Sequence, residues 1–263
     1  MNYQTVEFAN ANGVATLVLN RPQSLNSFTA EMHAEIRDAL GRIEGDTAVR
    51  CLLISGRGRA FCAGQFLTEH DVAQREQPPD LGEPLERNYN PLIRKLRSLR
   101  LPVVCAVNGV AAGAGANLAL ACDIVLAARS ASFIQAFCKL GLVPDTGGSW
   151  HLPRLVGHAR AMALAMLGER ITAEQAEQWG MIWKCVDDAQ LMEQADTLAR
   201  HLATQPTQGL VLIKRALNAT WHNSLDAQLD LERDLQREAG CTDDYREGIA
   251  AFMAKREPRF LGR

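Results

Sequence analysis

The stretch Pro102-Val103-Val104-Cys105-Ala106-Val107-Asn108-Gly109-Val110-Ala111-Ala112-Gly113-Ala114-Gly115-Ala116-Asn117 decides how this chain folds. Its first six residues are wholly apolar, and a run of that kind suits a strand buried on both faces. Glycine-rich sequence follows at once, and a helix is predicted to begin near Ala114. The same order recurs upstream, where Cys51-Leu52-Leu53-Ile54-Ser55 runs into Gly56-Arg57-Gly58, and Ile124-Val125-Leu126-Ala127-Ala128 is a third such strand. Strands separated by helices imply βαβ units, a parallel or mixed sheet and right-handed crossovers, hence an α/β fold.

Before the first buried run, Val14 to Leu19 reads as a strand that stops at Asn20-Arg21-Pro22. Thr29 is placed to cap a helix whose apolar stripe is Met32, Ile36, Leu40 and Ile43, ended by Gly45. Thr68 to Pro91 is polar and carries Pro78-Pro79-Asp80 and Gly82-Glu83-Pro84, so a long loop is expected, leading into a helix near Ile93 to Leu99. From Gly157 onward the pattern is helical. Ala159 to Leu167 is one helix, the capping box Thr172-Ala173-Glu174-Gln175 opens another, and Asp188 is expected to cap a third. Its apolar face is Leu191, Ala195, Leu198 and Leu202. Gly209 to Trp221, Ser224 to Arg237 and Thr242 to Lys255 complete the set. The expected organisation is an α/β core over residues 1–200 and a helical region over residues 201–263. That region packs either on its own core or on a neighbouring subunit.

Composition narrows the function. Of 263 residues, 47% are hydrophobic and 22% charged, which suits a globular chain and excludes a disordered one. Lys+Arg number 28 against Asp+Glu 30, a net charge of −2, so the basic excess that nucleic-acid binding needs is missing. The longest uncharged stretch, Leu101 to Cys122, is broken by Pro102, Asn108, Asn117 and several glycines, and no membrane span is expected. Met1 to Glu7 lacks the pattern of a signal peptide, so the expected location is the cytoplasm. The seven cysteines are odd in number and form no CxxC pair, which points to reduced, buried thiols. The six histidines form no HxxxH or HExxH, so no metal is expected.

Three glycine segments lie at strand ends or turns: Gly58 to Gln65, Asn108 to Asn117, and Gly141 to Ser149. Ligands of open α/β sheets bind outside the carboxyl ends of strands. Glycines there let backbone N–H groups approach a ligand, and two such groups aimed at one point form an oxyanion hole. The plainer reading is that the glycines allow close helix–sheet packing. Leu118 breaks a GxGxxG pattern, so a dinucleotide site is poorly supported. Asp145 is equally a turn residue before Gly147. There is no GxSxG elbow and no P-loop, and nothing organises Ser149 and His151 as nucleophile and base.

Taken together and in order, several stretches resemble the crotonase (enoyl-CoA hydratase/isomerase) superfamily. They are Leu19-Asn20-Arg21-Pro22 with Leu25-Asn26-Ser27, Phe61-Cys62-Ala63-Gly64, Val107-Asn108-Gly109 through Asn117-Leu118-Ala119, Cys122-Asp123-Ile124, Leu140 to Pro144, Gly147-Gly148, and Phe252-Met253-Ala254-Lys255-Arg256. A second set is similar to the family's isomerases that act on ring-1,2-epoxyphenylacetyl-CoA in phenylacetate degradation. It comprises Arg87 to Leu92, Phe137 to Asp145, Trp179 to Trp183, His201 to Thr207 and Asp244 to Gly248.

The resemblance implies a ββα spiral core with a C-terminal helical region used in trimer formation, and an acyl-CoA thioester as substrate with no separate cofactor. The thioester oxygen would accept N–H bonds from Gln65 and Ala114. Hydratases of the family carry two glutamates at positions that are Asn117 and Phe137 here, neither able to exchange a proton at neutral pH. Asp145 stands where similar isomerases keep a single acid, which implies a proton shuttle without water. The resemblance extends substrate-binding roles to Ala63, Gly64, Phe66, Leu67, Asn26, Asn117 and Phe137, and to Lys255 and Phe252, which would reach the CoA of a neighbouring subunit. For Lys255 a solvated helix end is the competing reading. The family motif usually reads Ala-Gly-x-Asp, and Phe66 replaces that aspartate. This implies either a loop ordered only by ligand or a pocket widened for an aromatic acyl group. The implied assembly is a homotrimer or a pair of trimers, with a pathway hydratase as a candidate partner. Two alternatives stand beside the ring-epoxide isomerase: a Δ3,Δ2-enoyl-CoA isomerase of fatty acyl chains, and a non-catalytic acyl-CoA-binding subunit.

Overall fold

The computed structural model describes residues 3–67 and 80–263. The chain alternates between two sheets. The larger has the order β1-β2-β3-β5-β7-β10, and the smaller β4-β6-β8-β9. β1 (Val6–Ala11) and β2 (Val14–Leu19) form an antiparallel hairpin, closed by Asn12 and Gly13, both with positive φ. β3 (Cys51–Gly56), β5 (Val103–Val107) and β7 (Ile124–Ala128) then add in parallel, and β10 (Lys184–Val186) completes the sheet. Each large-sheet strand from β3 to β7 is followed by a three-residue strand of the small sheet: β4 (Ala60–Cys62), β6 (Val110–Ala112) and β8 (Ser132–Ile134). β9 (Arg170–Thr172) closes it antiparallel. This repeated passage from sheet to sheet is the expected spiral. β3 and β5 are buried along almost their whole length, as parallel strands covered on both faces must be.

Helices cover the sheets. α1 (Ala30–Gly45) starts where expected, with Thr29 accepting from the Met32 N–H, and buries Met32, Ile36, Leu40 and Ile43. The loop expected to run as far as Pro91 is partly helix. α2 (Gly82–Pro84) passes through a π-turn (Leu85–Tyr89) into α3 (Asn90–Ser98), while residues 68–79 lie outside the described part. Pro91 directly follows the π-turn inside this continuous helical run, so proline there does not mark a loop end.

α4 (Ala114–Leu120) follows β6 and is buried throughout. α5 (Gly148–Val156), which holds Pro153, and α6 (His158–Leu167) come next. α7 (Ala173–Gln178) carries the complete capping box of Thr172 and Gln175. α8 (Leu191–Thr204) is preceded by a 3-10 turn, Asp188–Gln190. Asp188 does not cap it, because its carboxylate accepts instead from the Ser130 N–H at 3.0 Å. The expected boundary at 200/201 falls within α8, whose Ala195, Ala199 and Ala203 face the core. α9 (Thr207–Ala219), α10 (Leu225–Gly240) and α11 (Asp243–Ala254) end the chain. All seven cysteines are unpaired, four of them buried. Among the described residues, no helix is long and apolar enough to cross a membrane.

Candidate active site

The first arm of the site is the exit of β4. The N–H of Ala63 donates to Leu25 O, that of Phe28 to Gly64 O, and that of Phe66 to Phe28 O, at 2.8 to 3.0 Å. Phe28 thus pairs in parallel with Gln65 by bonding the residues on either side of it. In that pattern the N–H of Gln65 points away from Phe28.

The second arm is the start of α4. Ala114 is its first residue, so its N–H has no acceptor within the helix and carries the positive end of the helix dipole. The two arms meet at Gly64, whose φ is +91°. A β-carbon there would lie 3.0 Å from Ala112 O and 3.6 Å from Ala114 N. Glycine is what lets the arms come together. The packing reading holds at Gly115, where a β-carbon would collide with the Cys62 carbonyl.

Asp145 is held by the same helix. Its carbonyl accepts from the Gly148 N–H at 2.7 Å and from Asn117 Nδ2 at 2.8 Å, and Asn117 lies one turn beyond Ala114. Its turn role and its place beside the oxyanion arm coexist. The Asp145 side chain is half-buried, and burial raises its proton affinity above that of an ordinary aspartate. The Thr146 hydroxyl, donating to Oδ1 at 2.7 Å, opposes that rise. The Phe137 ring, 7% exposed, lies against Gly113, with Cζ 3.6 Å from where a β-carbon would stand. An apolar ring therefore borders the Ala114 donor.

Two residues to which the resemblance gives substrate-binding roles are fully buried. Asn117 has no exposed surface, and its amide is fully engaged, Oδ1 accepting from Gln135 Nε2 at 2.8 Å. Asn26 is equally buried. Its Nδ2 donates to Arg57 O and Ala60 O, and its Oδ1 accepts from the Arg21 N–H, which pins the loop after β2 to β4. Both read as binding residues because they stand inside glycine-flanked motifs; burial assigns them to the frame.

Ala63 and Phe66 are half-buried and Leu67 is exposed, all on the first arm. Phe66 leaves the described part of the loop ordered through its backbone, and its ring stacks under the Arg21 guanidinium at 4.8 Å. Phe252 and Lys255 are exposed at the end of α11, which packs chiefly on α10, away from both arms. Ser149 is exposed, whereas His151 is buried against Trp150 and pushed down to about 4 by burial and by Arg97 and Arg154, so the two form no nucleophile–base pair. Sequence reasoning missed Thr146, Gln135 and Tyr89. Thr146 had a signal in its place within Gly141 to Ser149 and Tyr89 in its place within Arg87 to Leu92, while Gln135 had none.

The enoyl-CoA hydratase/isomerase family pattern matches residues 9–263. The chain is 61% identical over 251 residues to the 1,2-epoxyphenylacetyl-CoA isomerase of Escherichia coli, covering 95% of this chain and 96% of that protein. It is 35% identical over 269 residues to the trans-2-decenoyl-(acyl-carrier-protein) isomerase of Streptococcus mutans, both chains being covered in full. Its fold matches the enoyl-CoA hydratase of Bacillus anthracis with a TM-score of 0.90 and 31% identity, over 99% of this chain and 100% of that one. The spiral between two sheets and these likenesses agree: the chain belongs to the enoyl-CoA hydratase/isomerase family of the crotonase superfamily.

Proposed function

We propose that this protein is an acyl-CoA isomerase that converts 1,2-epoxyphenylacetyl-CoA to its oxepin isomer, with Asp145 as the sole acid–base group. The thioester oxygen accepts from the N–H groups of Gln65 and Ala114, which makes the adjacent C–H acidic by stabilising the enolate. The Asp145 carboxylate takes that proton. The electron pair enters the ring, the carbon–carbon bond shared by the three- and six-membered rings opens, and a proton is returned to another carbon. Atoms balance without water, metal or cofactor, since coenzyme A is part of the substrate.

The observation that carries this reading is that Asp145, half-buried and with raised proton affinity, is tied through its carbonyl to Asn117 of the Ala114 helix, while positions 117 and 137 hold an amide bonded at both its oxygen and its nitrogen and an aromatic ring. The likeness to the E. coli enzyme favours the ring-epoxide substrate. The likeness to the decenoyl isomerase supports a second reading, double-bond transposition in ordinary 3-enoyl chains, which needs the same groups. Both substrates should be assayed with wild type and Asp145→Asn. The variant is expected to lose at least about 100-fold in turnover, general acid–base catalysis being worth ~10²–10⁴, and wild type should add no water to a 2-enoyl-CoA. An Asp145→Asn enzyme that keeps most of its rate refutes the proposal. Binding without turnover in wild type points to a non-catalytic subunit.

We further infer a cytoplasmic enzyme working as a homotrimer or a pair of trimers, in which Lys255 and Phe252 contact the CoA of the adjacent subunit. The exposed apolar residues of α11, Ile249, Phe252 and Met253, support this, as does the position of Lys255 at the free end of the same helix. A pathway hydratase is the proposed protein partner, and co-purification of the two would test it.

A further inference from the structure

We propose that Tyr89 is a positioning residue of the oxyanion hole: its hydroxyl holds the Gln65 side chain and so fixes the peptide N–H that meets the thioester oxygen. The inference rests on the isomerase reading above and adds a group which that reading does not use.

Tyr89 is 2% exposed, and its hydroxyl donates to Gln65 Oε1 at 3.0 Å. Its ring sits edge-on to Phe28, with centroids 5.5 Å apart, and to His33, 4.3 Å apart. Phe28 is the residue whose backbone bonds either side of Gln65. Gln65 is therefore gripped twice by one aromatic cluster, at its flanking peptides by Phe28 and at its side chain by Tyr89. The next residue, Phe66, has no polar side-chain atom to add, and its ring is engaged with Arg21.

Tyr89 ends the π-turn Leu85–Tyr89, and such wide turns gather at functional sites because they are costly. Arg37 of α1 steadies the turn by donating to Arg87 O and Asn88 Oδ1, at 3.1 and 3.3 Å. His33 is 4% exposed, neither ring nitrogen has a hydrogen-bond partner among the described residues, and burial with Arg37 pushes it down to about 4. His33 is therefore neutral at neutral pH and brings no charge of its own to the phenol, while Arg37, Glu83 and Arg87 line the space beside it.

Tyr89→Phe keeps the ring and removes the hydroxyl that holds Gln65. It is expected to lower kcat about 5- to 20-fold, the worth of one hydrogen bond and part of the ~10²–10³ carried by a whole oxyanion donor. KM should stay within about twofold, since the lost interaction strengthens only in the transition state. The melting temperature should stay within about 2 °C, and the acid limb of the pH profile should not move. Gln65→Met, which removes the acceptor, should match that loss, and the double variant should lose no more than either single one. A readout independent of turnover is the Raman carbonyl stretch of bound phenylacetyl-CoA. It should lie below its free value in wild type and move back in Tyr89→Phe and Gln65→Met. Wild-type kcat with an unmoved band in Tyr89→Phe, or additive losses in the double variant, would overturn the tether. If wild type isomerises no acyl-CoA, the isomerase reading fails by itself and the carbonyl band still decides the role of Tyr89.

Discussion

At Asp145, function and stability pull in opposite directions. Burial raises the proton affinity of this carboxyl, so the native state holds the proton more tightly than the unfolded chain does. Its stabilising contribution is complete below the ordinary aspartate pKa of 3.8 and is lost as pH rises through the raised native value. At neutral pH the native state therefore carries a shielded charge. Asp145→Asn should raise the melting temperature at pH 7 while abolishing turnover, and the gain should vanish at pH 3. A lower melting temperature at pH 7 would show that the Thr146 bond outweighs the burial. For the same reason, kcat/KM of wild type should fall with acidification at a pH above the ordinary aspartate value. Gly64 gives a second residue-scale prediction. Gly64→Ala combines a left-handed φ of +91° with a β-carbon 3.0 Å from Ala112 O. It is expected to destabilise by about 1–2 kcal/mol and, by prising the two arms apart, to lower kcat at least about tenfold. Denaturant melts and steady-state kinetics check both. The sequence named Gly64, Gln65, Ala114 and Asp145 because glycine loops and resemblance point at them. Side chains that only support are harder to read. Asn26 and Asn117 look like ligand contacts in a motif, and only their burial shows that their amides are spent on backbone and on Gln135.

Elements were legible in proportion to their length and periodicity. α1 announces itself through a cap and a four-residue stripe, and α7 through its capping box, each worth about 1 kcal/mol. The small sheet was not read at all, because strands of three residues are too short to show a two-residue period. The first hairpin was half-read. Asn12-Gly13 is a strong turn signal, but β1 is largely exposed at the sheet edge, so its apolar pattern is faint. α5 was hidden by Pro153 within it. The junction of α4 with the 145–148 turn yields a prediction at this scale. Asn117→Ala removes the strap between helix and turn and leaves Gln135 Nε2 buried without its acceptor. A loss of about 1–3 kcal/mol follows from the orphaned amide. If the strap also aligns Asp145, kcat should fall more than a matched stability loss elsewhere would explain. Asn117→Ala with an unchanged rate would confine the strap to folding.

For the whole molecule, the question is what the last three helices are for. The chain end is firmly tied back. Arg50 donates to Thr207 Oγ1 and to Gln205 O and Phe260 O, while the Asp244 carboxylate accepts from the Leu261 and Gly262 N–H groups. α9 is joined to the large sheet by the Lys214–Asp123 ion pair at 2.8 Å. Such anchoring is wasted on helices that merely cap a core, because they leave Leu225, Leu229, Ile249, Phe252 and Met253 exposed. Exposed apolar side chains held in rigid positions are what a subunit interface requires. Wild type is therefore expected to scatter light as three or six chains, and Phe252→Asp with Met253→Asp to shift it toward one. Lys255 tests whether the interface serves the site. If its ammonium meets the 3′-phosphate of CoA bound in the neighbouring subunit, Lys255→Ala should raise KM about tenfold for the intact thioester. It should leave KM unchanged for the 3′-dephospho-CoA thioester. Equal effects on both would place Lys255 at a solvated helix end and detach substrate binding from assembly.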